Sequence, residues 1–246
     1  MTLSPKEKMA IPRTHMPEQN ASRRATNFEE VNQGLEEAAA VKEAQRCIQC
    51  KNRPCVGGCP VAVRIPEFLA ALAEGDFRGA AEILRADNAL PATTGRVCPQ
   101  EKQCEAKCVR GAKGEAVAIG WLERFVADWA ARNLEAPKPP TRKTGFKVCV
   151  VGSGPGGLTA AGELARKGHE VTVFEALHAA GGVLRYGIPE FRLPKEIVDR
   201  EVQNLQSLGV NIEYNVIVGK KITVPQIMKE FDACFIANGA GLAMAT

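Results

Sequence analysis

The sequence predicts two units of different class: an all-α, cysteine-rich unit, then an α/β unit built on a parallel sheet. Three observations lead there. Seven of the nine cysteines in the 246-residue chain fall between Cys47 and Cys108. The proline-rich stretch Glu135 to Gly145 has almost no apolar content and cannot build a core. Behind it, the apolar run Phe146-Lys147-Val148-Cys149-Val150-Val151 enters Gly152-Ser153-Gly154-Pro155-Gly156-Gly157, a turn that leads a buried strand into a helix. The expected boundaries are 1–134 for the helical unit with its N-terminal arm, 135–145 for the linker and 146–246 for the α/β unit.

With 45% apolar and 24% charged residues, the chain has the composition of a globular protein with room for one large or two small domains. The net charge of +4 is spread along the sequence, so no basic face for nucleic acid is expected. No apolar run approaches the roughly twenty residues of a membrane span. With no secretory signal peptide and with thiols clustered in this way, the expected location is a reducing cytoplasm.

Residues Met1 to Asn27 are polar, with prolines at positions 5, 12 and 17, and are expected to form an extended arm lying on another surface. The spacing of Phe28, Val31, Leu35, Ala38, Ala39 and Val41 predicts helix from Phe28 to Arg46. Pro66 can open a helix carrying Phe68, Leu69 and Leu72, with Gly75 ending it. Asp76 can cap a second one, burying Phe77, Ala80, Ile83 and Leu84. Two short helices would thus fold the later cysteines back onto the earlier ones. Ile119, Leu122, Phe125, Val126 and Trp129 repeat at helical spacing, with Trp121 and Trp129 packing the core.

In the second unit, a helix from Leu158 to Lys167 should end at Gly168, and a strand from Glu170 to Phe174 at Glu175. A helix from Pro194 to Leu208, short strands from Asn211 to Tyr214, and a last buried strand from Asp232 to Ala237 complete the pattern. That strand runs into Asn238-Gly239-Ala240-Gly241. Cys149 and Cys234 lie within apolar strands as core thiols.

The first cysteine box, Cys47, Cys50, Cys55 and Cys59-Pro60, resembles the bacterial ferredoxin run C-x2-C-x2-C-x3-C-P, with four residues in the middle gap. The second is Cys98-Pro99, Cys104 and Cys108. In the ferredoxin run the last cysteine crosses to the other cluster. The same crossover would join Cys59 to Cys98 and Cys104, and leave Cys108 to complete a set with Cys47, Cys50 and Cys55. Two cubanes need eight ligands, and the boxes supply seven thiolates. Glu123, on the border of an apolar helix face, is the candidate eighth. A buried carboxylate is costly there unless paired or metal-bound; the alternative is a solvated glutamate. Four-thiolate zinc also uses C-x2-C halves, but uneven runs with two Cys-Pro pairs favour iron and sulfide. The domain would be a helical, ferredoxin-like version of the two-stranded bacterial form.

The glycine loop offers bare backbone and a helix N-terminus to a pyrophosphate, and Glu175 can accept hydrogen bonds from an adenosine ribose. The alternative is a glycine turn that only packs helix against strand. Gly181-Gly182 and the segment Val183 to Lys195 resemble two-domain flavoprotein reductases, which makes FAD the expected dinucleotide.

The order of cysteine boxes, Ile119-Gly120-Trp121-Leu122-Glu123-Arg124-Phe125, glycine loop and Tyr186-Gly187-Ile188-Pro189-Glu190-Phe191-Arg192-Leu193-Pro194-Lys195 resembles the small (β) subunit of bacterial NADPH-dependent glutamate synthase. The same module occurs in the ferredoxin:NADP oxidoreductase large subunit, sulfide dehydrogenase and dihydropyrimidine dehydrogenase. The resemblance implies one [4Fe-4S] cluster on Cys47, Cys50, Cys55 and Cys108. It implies a second on Cys59, Cys98, Cys104 and Glu123, with glutamine in place of the glutamate in the dihydropyrimidine enzyme. FAD would contact Gly152, Ser153, Gly154, Pro155, Gly156, Glu175, Gly182, Arg192 and the backbone at Val218. For Arg192 a surface ion pair is the alternative. The implied activity passes electrons from NADPH through FAD and the clusters to a large glutamate synthase subunit, or another redox partner. The other possibility is a non-catalytic electron-transfer or docking module. Relatives in the family continue into an NADPH domain, whereas this sequence stops at Thr246 with residues that do not read as a domain terminus. A fragment or split gene is therefore expected, with NADP(H) bound only in the full-length family. His15, His169 and His178 lie outside both boxes and suggest neither base nor ligand.

Overall fold

The computed structural model describes residues 3–240; Gly241 and the terminal run Leu242 to Thr246 lie outside the described residues. The chain forms two compact units that part between Glu135 and Ala136, with Glu190–Arg192 grouped with the first.

In the first unit the N-terminal arm is not uniformly extended. α1 (Pro5–Ala10) is closed by a capping box, in which the Ser4 hydroxyl accepts from Glu7 N and the Glu7 carboxylate accepts from Ser4 N. α2 (Ala21–Arg24) is capped by Asn20, which accepts from Ser22 N. The helix expected from Phe28 to Arg46 shrinks to α3 (Glu37–Ala44). Backbone pairing with the arm takes the preceding segment: Gln19 N donates to Val31 O and Gln33 N to Pro17 O, each at 2.8 Å. Gly34 turns there at φ +83°, and Phe28 is left 75% exposed.

α4 (Pro54–Gly57) sits inside the first cysteine box. α5 (Ile65–Ala73) carries Pro66 in its first turn. α6 (Phe77–Asp87) is capped as expected, Asp76 accepting from Gly79 N at 2.8 Å. A third helix, α7 (Pro91–Val97), also stands between the boxes. Its sequence, Pro-Ala-Thr-Thr-Gly-Arg-Val, has too few apolar residues to display a helical period. Three 3-10 turns, Gln100–Lys102, Glu105–Lys107 and Val109–Ala112, carry the second box into α8 (Ile119–Asn133). The core joins Phe68, Leu69 and Leu72 to Leu84, Leu122, Phe125 and Val126. Phe77 packs edge-on against Phe125 and Trp129, with ring centroids 5.6 and 5.3 Å away.

The second unit is a four-stranded parallel sheet ordered β3-β2-β1-β4, from β1 (Lys147–Val151), β2 (Glu170–Phe174), β3 (Asn211–Glu213) and β4 (Ala233–Ile236). Val148 pairs with Val171 and Val150 with Val173, so the β-branched runs lie side by side. α9 (Pro155–Arg166) makes the crossover from β1 to β2 that parallel pairing requires. α10 (Val183–Tyr186), α11 (Lys195–Ser207) and α12 (Val224–Glu230) complete the unit. The last strand differs from expectation. β4 lies at one edge of the sheet, and its faces are left largely uncovered among the described residues, with Phe235 46% and Ile236 71% exposed. Cys149 is fully buried in β1, whereas its register partner Cys234 is half-buried. Among the described residues, no helix is long and apolar enough to cross a membrane.

Candidate metal centres and nucleotide loop

The first cysteine box is wound tightly. Of the four non-glycine residues at positive φ among the described residues, three lie in or beside it: Gln49, Arg53 and Ala62. Such conformations cost about 1–3 kcal/mol each and persist where the surroundings enforce them. Gly58 allows the box to press on the second: a Cβ there would stand 2.9 Å from Gln103 O and 3.2 Å from Cys104 Cα. That approach sets Cys59 beside the second box.

Cys47, Cys50, Cys55 and Cys108 line one small cavity of about 30 Å³, walled by Ile65, Leu69 and Ile119. Burial pushes the Cys55 thiol up to about 11, with Cys47 and Cys108 adding to the rise. Burial likewise raises Cys47, and Cys108 adds to that rise. Cys50 is raised by burial and then by Cys108. The four residues of one expected set are therefore electrostatic neighbours of one another.

The other set behaves in the same way. Burial lifts Cys98 to about 11, with Glu123 and Cys59 adding to it. Cys104 is lifted to about 12 by burial, then by Glu105, Glu123 and Cys59. Glu123 is 9% exposed, and burial holds its carboxyl up at about 7 against the pull of hydrogen bonds from Thr94 and Asn88. Both bonds reach the same oxygen: Oε1 accepts from Asn88 Nδ2 at 2.8 Å and from Thr94 Oγ1 at 2.6 Å. Sequence reasoning missed these two donors, and no spacing marks them.

Among the described residues no three His, Cys, Asp or Glu side chains gather tightly enough to hold a single metal ion. The donor chemistry suits a larger group: four thiols in one set, three thiols and a carboxylate in the other. With their pKa values raised by burial, the Cys47, Cys50, Cys55, Cys98 and Cys104 thiols stay protonated until a metal displaces the proton. A further sign is Arg110, 5% exposed on the wall of the four-thiol cavity, whose Nε has no hydrogen-bond partner. A buried N–H of that kind calls for an acceptor.

In the α/β unit, Gly152 turns at φ +96°, and a Cβ there would come within 2.5 Å of Ala237 O. A Cβ on Gly154 or Gly156 would meet nothing within 4 Å, so the loop backbone is bare at the N-terminus of α9. Gly154 is the N-cap residue, no side chain caps the helix, and Pro155 opens its first turn. The space and the free amides fit a pyrophosphate. Gly182 adjoins the loop, its Cβ position 2.8 Å from Gly154 Cα. Glu175 is turned inward: Oε2 accepts from Ser153 N at 2.9 Å and from the Ser153 hydroxyl, and Oε1 from Leu177 N at 2.8 Å. Val218 forms an isolated bridge with Ile222 and packs on the cluster of Cys149, Phe174 and Val216. Arg192 is grouped with the helical unit, where it lines a cavity of about 340 Å³ with Trp121, Arg124 and Phe191.

Residues 24–135 match the family described as dihydropyrimidine dehydrogenase domain II, 4Fe-4S cluster. Residues 150–214 match an NAD(P)-binding Rossmann-like domain. The NAD-dependent dihydropyrimidine dehydrogenase subunit PreT of Salmonella typhimurium is 37% identical over 224 residues, covering 91% of this chain and 53% of that one. The NADPH glutamate synthase small chain of Azospirillum brasilense is 37% identical over 227 residues, covering 91% and 47%. That of Mycobacterium tuberculosis is 40% identical over 218 residues, covering 88% and 44%. The chain spans about half the length of the curated relatives it matches. It is a homologue of the glutamate synthase small chains and PreT subunits, with a 4Fe-4S domain followed by an NAD(P)-binding Rossmann-like domain.

Proposed function

We propose that this chain is the electron-transfer part of an NADPH-dependent oxidoreductase of the glutamate synthase type. It would hold two [4Fe-4S] clusters and FAD and serve a partner active site that makes glutamate from glutamine and 2-oxoglutarate. The observation that carries this is the convergence of Cys47, Cys50, Cys55 and Cys108 on one cavity, with the close approach at Gly58 bringing the end of the first box against Cys104. When bound, FAD exchanges electron pairs with a nicotinamide, and iron–sulfur clusters carry electrons singly.

The chain's own residues hold, orient and shield these groups. Cys47, Cys50, Cys55 and Cys108 would ligate one cluster behind an apolar wall that excludes water; Cys59, Cys98, Cys104 and Glu123 would ligate the other. Asn88 and Thr94 both bond Glu123 Oε1 and leave its other oxygen free to serve as a ligand, with Cys98 and Cys104 as electrostatic neighbours of the carboxylate. The loop Gly152–Gly156 would receive the FAD pyrophosphate at the start of α9. Glu175 orders that loop through Ser153 and lies where a ribose could share its remaining lone pairs. Gly182, Val218 and Arg192 complete the proposed contacts. The domains proposed are 1–134, linker 135–145 and 146–246.

A second reading, an electron-transfer subunit serving a dihydropyrimidine dehydrogenase, is favoured by the description of the family matched by residues 24–135 and by the 37% identity to PreT. Anaerobic purification with iron, acid-labile sulfide and flavin assays tests the shared part. About eight irons and eight sulfides per chain are expected for two cubanes; zinc, or no labile sulfide after reconstitution, would overturn it. With the dithionite-reduced chain as electron donor, formation of glutamate from glutamine and 2-oxoglutarate, or reduction of a pyrimidine, on mixing with each candidate partner subunit separates the two readings.

A further inference from the structure

We infer that Arg110 donates a hydrogen bond from its Nε–H to a sulfur of the centre on Cys47, Cys50, Cys55 and Cys108, and thereby raises that centre's reduction potential. The inference rests on the cluster assignment proposed above. Three observations carry it. Arg110 is 5% exposed and shares the cavity lined by those four cysteines. Its Nε is buried without a partner. The remainder of the guanidinium is pinned, so the side chain cannot swing away to satisfy that N–H. Nη1 donates to the carbonyls of Lys8 and, at 3.3 Å, Arg46; Nη2 donates to those of Met9 at 3.4 Å and Ile11 at 3.0 Å.

The charges around Arg110 point to the same acceptor. Arg46 opposes its charge and Glu43 favours it, while Cys108 and Cys47 are its other electrostatic neighbours. Glu43 spends its oxygens on Arg46, Ala118 N and Thr14 N, so it does not reach Nε. An anion at the thiol cavity is what the open N–H lacks. A cluster held by four thiolates is anionic and gains one further negative charge when it takes up one electron, with no bond made or broken. A fixed N–H donor and cation at its sulfurs therefore favour the reduced form over the oxidised one. Lys8 acts from the same side: its ammonium donates to Cys47 O at 3.0 Å. Arg110 thus ties the arm bearing α1 to the wall of the four-cysteine cavity through the carbonyls of Lys8, Met9 and Ile11.

The test uses the full chain, reconstituted anaerobically with iron and sulfide after labelling with [15N]arginine. Pulsed EPR of the reduced protein is expected to show on one centre a 15N coupling that is missing from Arg110→Lys, which keeps the charge but has no Nε, while any coupling from Arg53 on the same cavity stays in both. In EPR-monitored titrations the midpoint of that centre is expected to fall in Arg110→Lys and further in Arg110→Gln, while the other centre's stays in place. Unchanged midpoints and an unchanged coupling in both variants would overturn the inference. So would the absence of any 15N coupling in the wild type, a result that does not depend on the variants assembling. A wild type that binds no labile sulfide sinks the cluster assignment as well; one that binds it but shows no coupling sinks this inference alone.

Discussion

Replacing Glu43 with alanine is expected to destabilise the helical unit more than any surface charge deletion. Glu43 and Arg46 are 0% and 1% exposed. Oε1 accepts from Arg46 Nη1 at 2.5 Å and from Ala118 N at 2.9 Å, and Oε2 accepts from Thr14 N at 2.7 Å. Alanine removes all three bonds and leaves the guanidinium with backbone carbonyls only, those of Ile11, Ala116 and Glu115. Removing one partner of a buried pair costs about 3–5 kcal/mol, because the other charge stays in a medium that solvates it poorly. For a chain of this size each kcal/mol lowers the midpoint by about 2–4 °C, so a fall of roughly 6–20 °C is expected. Circular dichroism melts of metal-free wild type and variant measure it, since bound metal would add its own folding energy to both. Glu43→Gln keeps an acceptor of similar shape and should recover part of the loss. A Glu43→Ala shift worth less than about 1 kcal/mol, the scale of an exposed pair, would refute the claim that this carboxylate holds arm, α3 and α8 together.

Gly95→Ala should cost about 1–3 kcal/mol by overpacking, since the new methyl would stand 2.5 Å from Arg124 N where α7 crosses α8; urea titration measures it. Asn88→Ala and Thr94→Val free the Glu123 carboxylate, and iron analysis with EPR should find the second centre depleted while the first keeps its full complement. Glu123 has a folded pKa of about 7 against an ordinary value of 4.5, so it binds its proton more tightly when folded. Metal-free protein should therefore lose stability as pH rises from about 4.5 to 7 and level off above, and urea midpoints of Glu123→Gln should lack that slope. Cys149, wholly buried and pushed up to about 12 by burial and then by its hydrogen bond with Cys234, should be the last of the nine thiols alkylated by iodoacetamide at neutral pH; mass spectrometry of the metal-free protein gives the order.

Legibility in the sequence depended on whether a feature is local. The strand, glycine turn and helix from Lys147 to Arg166 were readable because period, turn chemistry and helix start all lie within one short stretch. Asp76 was readable as a cap because its acceptor serves an amide three residues on. The segment from Phe28 to Leu35 misled, since its apolar spacing mimics a helix while its backbone hydrogen bonds go to the distant arm. β4 misled in a different way: apolar composition signals a strand, but burial of its faces depends on what is packed there.

The candidate centres divide along the same line. The expected grouping of the thiols rests on the resemblance of their spacing to the ferredoxin run, in which the last cysteine crosses to the other cluster. Nothing comparable announces the groups that set a centre's charge and orientation. Arg110 acquires meaning only when Lys8, Met9, Ile11 and Arg46 pin its other nitrogens, contacts that span up to 102 residues. Asn88 reaches Glu123 across 35 residues, and Thr94 across 29. A carboxylate bonded twice through one oxygen has its second oxygen aimed by the first, so the direction of Glu123 is a property of α7 and α8 packed together. Candidate ligands are therefore suggested by the motif, whereas their geometry and local charge are written in tertiary contacts. The two candidate centres accordingly differ in their surroundings, Arg110 and Lys8 beside one, Glu105 and Glu123 beside the other, in a way their thiol spacing does not encode.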